Sequence, residues 1–337
     1  MHLNLPDINP VIFALGPFHL FGHDLGPISV RWYALAYVMG IVLGWVYASY
    51  LLRKESLWSP RKPPANAEQL DDLILWLTLG IIIGGRIGYI IAYDTSIIWE
   101  HPWEMLQIWN GGMSFHGGFV GVVIATLLYC RSQKFDSKQM LNLGDLLASA
   151  APIGLMFGRF ANFINGELWG RPSTLPWGMD FCNKYIRQQY GSCPADPQGL
   201  PIFRHPSQLY EAALEGLVLF SVIWVLSHRL KKLQKPGLVM GTFIAGYGIV
   251  RILLENVRNP DAQMPEFLRH LITMGMILSL PMVVAGGFFI WNAMRPDTAE
   301  PTTETGDEAT TSAPNATPEI HIDLPVKPAS SNDETAA

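Results

Sequence analysis

Charge is scarce in this chain. Asp, Glu, Lys and Arg together make up 15% of its 337 residues, against about 25% in an ordinary soluble domain. Hydrophobic residues reach 49% and the mean hydropathy is positive. That balance excludes a conventional soluble domain and points to an integral membrane protein. A concentrated basic surface is also missing. The net charge is −5, so the electrostatic footprint of a nucleic-acid binder is absent. Cysteine is nearly absent too, with only Cys130, Cys182 and Cys193. Cys130 closes an apolar run beside Arg131 and reads as inert. Cys182 and Cys193 share one polar loop without a His or Cys cluster near them, which argues against a metal site. They can pair if the loop faces an oxidising compartment, but sequence leaves their geometry open. The N-terminus lacks a basic lead, and Val11–Leu15 is too short an apolar run for a signal peptide. An inverted repeat of the kind that marks many transporters is not evident.

What the chain does have is a series of long apolar runs. Spans are expected at about 28–52, 72–93, 111–130, 142–163, 206–228, 237–256 and 270–294. The fold expected is therefore all-α and membrane-integral, a bundle of seven transmembrane helices over 28–295. Basic residues cluster after alternate spans, at 53–62, 131–138, 229–235 and 295, whereas 1–30 and 94–110 contain none. By the Lys/Arg bias, the N-terminus lies outside and the C-terminus in the cytoplasm. Residues 1–27 are rich in Pro and Gly with scattered aromatics, and read as an interfacial arm, either a short amphipathic segment or a loose end. The polar stretch at about 164–205 reads as a small head on the outer face. Residues 296–337, rich in Thr, Pro, Ala, Glu and Asp, have too few apolar groups to fold and read as a disordered acidic cytoplasmic tail.

The most unusual stretch is 158–171, Gly-Arg-Phe-Ala-Asn-Phe-Ile-Asn-Gly-Glu-Leu-Trp-Gly-Arg. Ionisable groups at membrane depth are costly and usually functional. Arg159 alone would read as a snorkelling side chain. With Asn162, Asn165 and Glu167 beside it, the segment reads as a polar site at the membrane boundary. Arg251 lies inside the sixth apolar run. Two guanidinium groups, Arg159 and Arg251, suit a lipid phosphodiester and can stabilise charge on a departing phosphate. The plain alternative for Arg251 is an ion pair with Glu255, one turn on. Tyr247 shares that helix face. His116 sits among Gly111, Gly112, Gly117 and Gly118, which read as leaving its ring open to a cavity. It is either a proton acceptor or a structural His at a helix start. His205 and Ser207 read mainly as helix caps after the head, with Tyr210, Glu211 and Glu215 free to line a polar cavity. Arg86 and Asp145 read as structural partners across helices, and Tyr33 as a belt aromatic or headgroup contact. Ser114 lacks the Gly-x-Ser-x-Gly spacing of a hydrolase elbow.

Taken together, Arg31-Trp32-Tyr33, Gly84 to Tyr89, Gly111 to Gly118, Gly158 to Arg171, His205 to Glu211 and Gly246 to Asp261 resemble the bacterial prolipoprotein diacylglyceryl transferases. The resemblance implies a seven-helix enzyme of the bacterial inner membrane with a periplasmic head. It implies transfer of the diacylglyceryl group of phosphatidylglycerol to the lipobox cysteine thiol in the signal peptide of a preprolipoprotein. The products are a thioether and glycerol phosphate, in the first step of lipoprotein maturation. It implies no metal and no organic cofactor. The family's functional positions fall here on Tyr33, His116, Arg159, Asn162, Glu167, Gly170, Tyr247, Arg251 and Glu255. The rival of another class is a lipid or solute transporter, which would also bury Arg, Glu and His in a bundle.

Overall fold

The computed structural model describes residues 3–16, 18–20, 23–25, 27–108, 112–193, 195–259 and 273–295. The expected tail at 296–337 lies outside the described residues.

Most of the described chain is helical, and the apolar runs account for it. The helices are α1 (Trp32–Arg53), α2 (Ala67–Tyr93), the short α3 (Ile97–Glu100), α4 (Phe115–Ser132), α5 (Ser137–Ile164), α6 (Lys184–Tyr190), α7 (Ser207–Glu211), α8 (Leu219–Trp224), α9 (Leu238–Leu254) and α10 (Met274–Met294). A wide π turn at Ala212–Val218 joins α7 to α8, and another at Val225–Arg229 extends α8, making one continuous rod, Ser207–Arg229. Five of these rods are long and apolar enough to cross a membrane: α1, α2, α5, Ser207–Arg229 and α10. The apolar parts of α4 and α9 are shorter. At 17 residues, α9 rises about 25 Å, somewhat less than the roughly 30 Å of a bilayer's hydrocarbon core.

Local sequence sets the helix starts. Asn66 and Gln69 form a reciprocal capping box at α2, and Asp136 and Gln139 form another at α5. Each satisfies backbone N–H groups that a helix start leaves without partners. The Asp145 carboxylate, fully buried on α5, accepts from the backbone N–H groups of Gly237 and Met240, both at 2.7 Å. It thereby caps α9 from a neighbouring helix, the structural role expected of it. Arg86 is buried on α2, and its guanidinium donates to the carbonyls of Glu104, Met105 and Gly112. It pins the loop before α4.

Glycine lets the helices close. A Cβ on Gly84 would lie 2.4 Å from the Gly117 carbonyl oxygen, and one on Gly121 would lie 2.0 Å from the Gly80 carbonyl oxygen. Such close approach is how small residues hold membrane helices together. Gly117 meets the backbone of α2 at Gly84 and Gly88, so close backbone approach accounts for this glycine. Where glycine removes the side chain, the backbone of a second helix fills the space.

The arm, read as a short amphipathic segment or a loose end, is built of short strands among the described residues. β2 (Val11–Leu15) pairs antiparallel with β5 (Ile28–Arg31), and β3 (Phe18–Leu20) with β4 (His23–Leu25). Its β-branched and aromatic residues favour strands, and Gly16, at φ +103, takes a turn conformation that suits glycine. β1 (Leu3–Asn4) runs parallel to β6 (Met179–Asp180), which pairs antiparallel with β7 (Phe203–Arg204). The all-α expectation therefore becomes a predominantly helical protein with three small sheets among the described residues. One apolar core gathers Leu51, Trp58, Leu70, Leu73, Leu143, Leu146, Ile223 and Leu233; a smaller one gathers Leu5, Met179, Phe181 and Ile186 around the head.

Candidate active site

The site is built where α5 ends, where α7 begins and where α9 ends. Arg159, on the last turns of α5, meets two carboxylates of the α7 rod. Its Nη1 lies 2.6 Å from Glu211 Oε2 and its Nη2 lies 2.9 Å from Glu215 Oε2, while Nε donates to the same Glu215 oxygen at 3.0 Å. Glu211 and Glu215 are one turn apart and both fully buried. The other oxygen of Glu211 accepts from Arg258 Nη1. Arg258 Nε lies 3.7 Å from Glu255 Oε1, and that oxygen pairs with Arg251 Nη2 at 2.8 Å. Three arginines and three glutamates thus alternate in one chain: Glu215, Arg159, Glu211, Arg258, Glu255, Arg251. Buried ions persist only when paired in this way.

The chain is not saturated. Arg251 Nη1 and Glu215 Oε1 are buried and lack a hydrogen-bond partner among the described residues. Arg159 also carries more N–H donors than its three contacts use. Tyr247, one turn before Arg251, interacts electrostatically with Arg159, Arg251, Glu211 and Glu215. The i,i+4 ion pair between Arg251 and Glu255 is present, and it joins a larger network rather than standing alone.

A second polar set adjoins it on the 158–171 stretch. Asn162 Nδ2 donates to Glu167 Oε1 at 2.8 Å, and Asn165 Nδ2 reaches the same oxygen at 3.4 Å. Tyr33, at the start of α1, lies near the Asn162 side chain, and its hydroxyl is 3.2 Å from that of Tyr37. Beside Gly158 a Cβ would meet nothing within 4 Å, so this flank of α5 is open.

The loop after α5 is stitched to both neighbours. Gly170 donates to the His205 carbonyl at 2.9 Å, and Arg171 donates to the Val257 carbonyl at 2.8 Å. A Cβ at Gly170 would lie 2.4 Å from the Val257 oxygen and 2.8 Å from the His205 oxygen. Gly170 is therefore required by close backbone approach. The Ser207 hydroxyl donates to the Leu168 carbonyl at 2.9 Å. This corrects the capping role expected of His205 and Ser207: α7 has no side-chain cap, and both residues tie it to the 166–171 loop. His205 faces the Tyr210 hydroxyl at 3.4 Å, and burial lowers its pKa below the ordinary imidazole value.

His116 is the second residue of α4; its side chain lies outside the described residues. The structure therefore brings together Arg159, Tyr247, Arg251 and Glu255, and brings together Tyr33, Asn162 and Glu167, with Gly170 as backbone support. The sequence reading missed Arg258, and it left Glu211 and Glu215 without their partner. Their i,i+4 spacing after His205 was the available signal. Cys182 and Cys193 are bonded, with Cα atoms 5.3 Å apart. Among the described residues, no group of three or more His, Cys, Asp or Glu is arranged to hold a metal ion.

The chain is a helical, multi-pass membrane protein with a buried chain of alternating Arg and Glu, the class in which ionisable groups within apolar helices mark functional sites. The comparisons narrow this class. The family model for prolipoprotein diacylglyceryl transferase matches residues 21–292, so the chain belongs to that family. It is 54% identical over 298 residues to a phosphatidylglycerol–prolipoprotein diacylglyceryl transferase of Caulobacter vibrioides (strain NA1000 / CB15N), covering 86% of this chain and 95% of the relative. The relative of the same description in Caulobacter sp. (strain K31) is 53% identical over 311 residues, covering 90% and 99%. That of Phenylobacterium zucineum (strain HLK1) is 52% identical over 293 residues, covering 87% and 95%.

Proposed function

We propose that this chain is a phosphatidylglycerol–prolipoprotein diacylglyceryl transferase of the bacterial inner membrane, acting on the lipobox cysteine of preprolipoproteins. The observation that carries the reading is the family match over residues 21–292. The chain spans the membrane seven times, with α4 and α9 as its short spans. The N-terminus and the head lie outside and the C-terminus inside. Basic residues at the ends of alternate helices support that orientation, and so does the disulfide between Cys182 and Cys193, which suits an oxidising compartment.

The chemistry follows from charge. A free thiol near pKa 8.5 is largely protonated at neutral pH, so a base must take its proton. His116 fills that role, at the start of α4. The thiolate attacks the glycerol carbon that bears the phosphodiester oxygen. A carbon–sulfur bond forms, the carbon–oxygen bond breaks, and its electron pair leaves on the phosphate. The phosphodiester monoanion becomes a phosphate monoester, released as glycerol phosphate, and its negative charge grows as the bond breaks. Arg251 is suited to receive that charge, because Nη1 is buried and lacks a partner among the described residues while Glu255 holds Nη2. Arg159 offers its remaining N–H donors to the same group. Glu211 and Glu215 hold its guanidinium plane in place. Tyr247 lies beside both arginines. Tyr33, Asn162 and Glu167 orient the headgroup or the peptide, and Gly170 keeps the loop closed against His205 and Val257. No metal or organic cofactor enters the scheme.

The test is purified protein with phosphatidylglycerol and a lipobox peptide, read by mass spectrometry. A diacylglyceryl adduct on the cysteine is expected. Its absence under conditions where an established transferase works would overturn the proposal. His116→Gln is expected to abolish the neutral-pH limb of the rate profile, whereas an unchanged profile would remove the base role.

A further inference from the structure

Arg171 closes the 158–171 stretch and has no part in the chemistry above, yet it touches both segments that the ion-pair chain spans. Its backbone N–H donates to the Val257 carbonyl at 2.8 Å, and its carbonyl accepts from the His205 N–H at 3.0 Å. Residue 171 therefore lies between the segment that enters α7, where Glu211 stands, and the segment that leaves α9.

The side chain reaches the same helix end. Arg171 Nε donates to the Arg258 carbonyl at 2.8 Å, and Nη2 donates to the Glu255 carbonyl at 3.4 Å. Together with the backbone N–H, residue 171 supplies donors to three of the four carbonyls from 255 to 258. A helix end leaves such carbonyls without donors of its own, and a cation suits the negative end of the helix dipole. A guanidinium is also a planar fork that serves two acceptors at once. No glycine follows α9 before Asn259, so the glycine cap common at helix ends is replaced by an arginine from the loop after α5.

The capped carbonyls belong to residues whose side chains carry the charge. Glu255 Oε1 pairs with Arg251 Nη2 at 2.8 Å and lies 3.7 Å from Arg258 Nε. Glu255 is buried, and a Cβ on Gly275, at the start of α10, would lie 2.1 Å from the same oxygen. Its carboxylate is thus confined by α10 while its carbonyl is held by Arg171. Because Arg171 spends Nε and Nη2 on carbonyls, it acts on the arginines through the backbone of α9.

We propose that Arg171 is a positioning residue for transfer: by capping the end of α9 it fixes Glu255, and through Glu255 it aims Arg251 at the departing phosphate. The inference rests on the transferase reading for the reaction that it serves.

The experiment measures adduct formation on a lipobox peptide by the full-length protein in micelles containing phosphatidylglycerol. Rates at matched folded protein are resolved into kcat and the KM values for lipid and peptide. Wild type is compared with Arg171→Ala, Arg171→Lys, Arg251→Ala and the double variant Arg171→Ala with Arg251→Ala. Arg171→Ala is expected to lose about 10²-fold in kcat, the cost of a misplacement of about 1 Å, with both KM values unchanged, because the charge that Arg251 meets grows in the transition state. Arg171→Lys keeps the charge at the helix end but loses the fork, so its kcat falls between the two. In the Arg251→Ala background, Arg171→Ala is expected to cause almost no further loss, since a residue that acts through Arg251 then has nothing to aim. If Arg171→Ala does not fold, Arg171→Lys takes its place in the same cycle. A loss that multiplies with that of Arg251→Ala, a rise in KM with kcat unchanged, or a wild-type kcat in either variant at position 171 would each overturn the assignment while leaving transfer itself intact. A wild type that forms no adduct would instead overturn the transferase reading, and this inference with it.

Discussion

Glu211→Ala is the substitution that strains the ion-pair chain most. Glu211 is fully buried, and its two oxygens serve two different cations, Arg159 at 2.6 Å and Arg258 through a short contact. Removing the carboxylate leaves both guanidinium groups short of a partner in a site from which water is largely excluded. Truncating one member of a buried pair costs about 3–5 kcal/mol. The loss does not double here, because Arg159 keeps Glu215 and Arg258 keeps Glu255. Glu211→Gln keeps one oxygen acceptor and should cost less, about 1–3 kcal/mol. A double variant, Glu211→Leu with Arg258→Met, removes a charge of each sign and should be less destabilised than the sum of its singles, since contacting residues are not additive. The assay is denaturant unfolding of the detergent-solubilised protein, followed by tryptophan fluorescence. A loss below about 1 kcal/mol for Glu211→Ala, well short of the buried-pair range, would refute the reasoning. So would strict additivity in the double variant.

Three further outcomes are expected. Gly170→Ala places a Cβ against the Val257 and His205 carbonyl oxygens, and overpacking of this kind costs about 1–3 kcal/mol; turnover should fall with it, and a variant as stable and active as wild type would show that the loop relaxes freely. Asp145→Ala strips acceptors from the Gly237 and Met240 N–H groups, at about 1–3 kcal/mol for each stranded donor, while the lipid and peptide KM values of the folded fraction stay unchanged; a changed KM would extend Asp145's influence to the site. His205 has a pKa lowered by burial, so the unfolded chain takes up its proton first as pH falls. Its contribution to stability is complete above about pH 6.5 and is lost as pH drops through that value toward the folded pKa. Melting curves between neutral and mildly acidic pH should therefore slope less in His205→Gln than in wild type, and equal slopes would contradict the assignment.

The helices were legible because long apolar runs leave few alternatives; α5, expected at 142–163, is found at Ser137–Ile164. The early start follows from Asp136 and Gln139, a capping box on the polar side of the expected boundary. The arm's strands were not legible. They run two to five residues, too few to show a period, and β1 finds its partner β6 more than 170 residues away, by tertiary pairing. At the site, the suspicion attached to Arg159, Arg251 and Glu255 came from the cost of charge in apolar sequence. That cost says an ion must have a partner without saying which. Arg258 stands in a polar context, so it raised no such signal, although it links the two halves of the chain. Gly117 shows the limit of reading glycine: absence of a side chain invites close approach, and only the fold tells whether a ligand or another helix approaches.

In the proposed reaction, an arginine-lined site in this chain stabilises charge on a departing lipid phosphate. The most direct measurement is the rate of diacylglyceryl adduct formation on a lipobox peptide, by mass spectrometry, for wild type and Arg251→Ala at matched folded protein. The wild type should form the adduct, and Arg251→Ala should lose about 10²–10³-fold in rate, the loss typical of removing one preorganised donor from a developing anion. Adduct formation by Arg251→Ala at the wild-type rate would contradict the account.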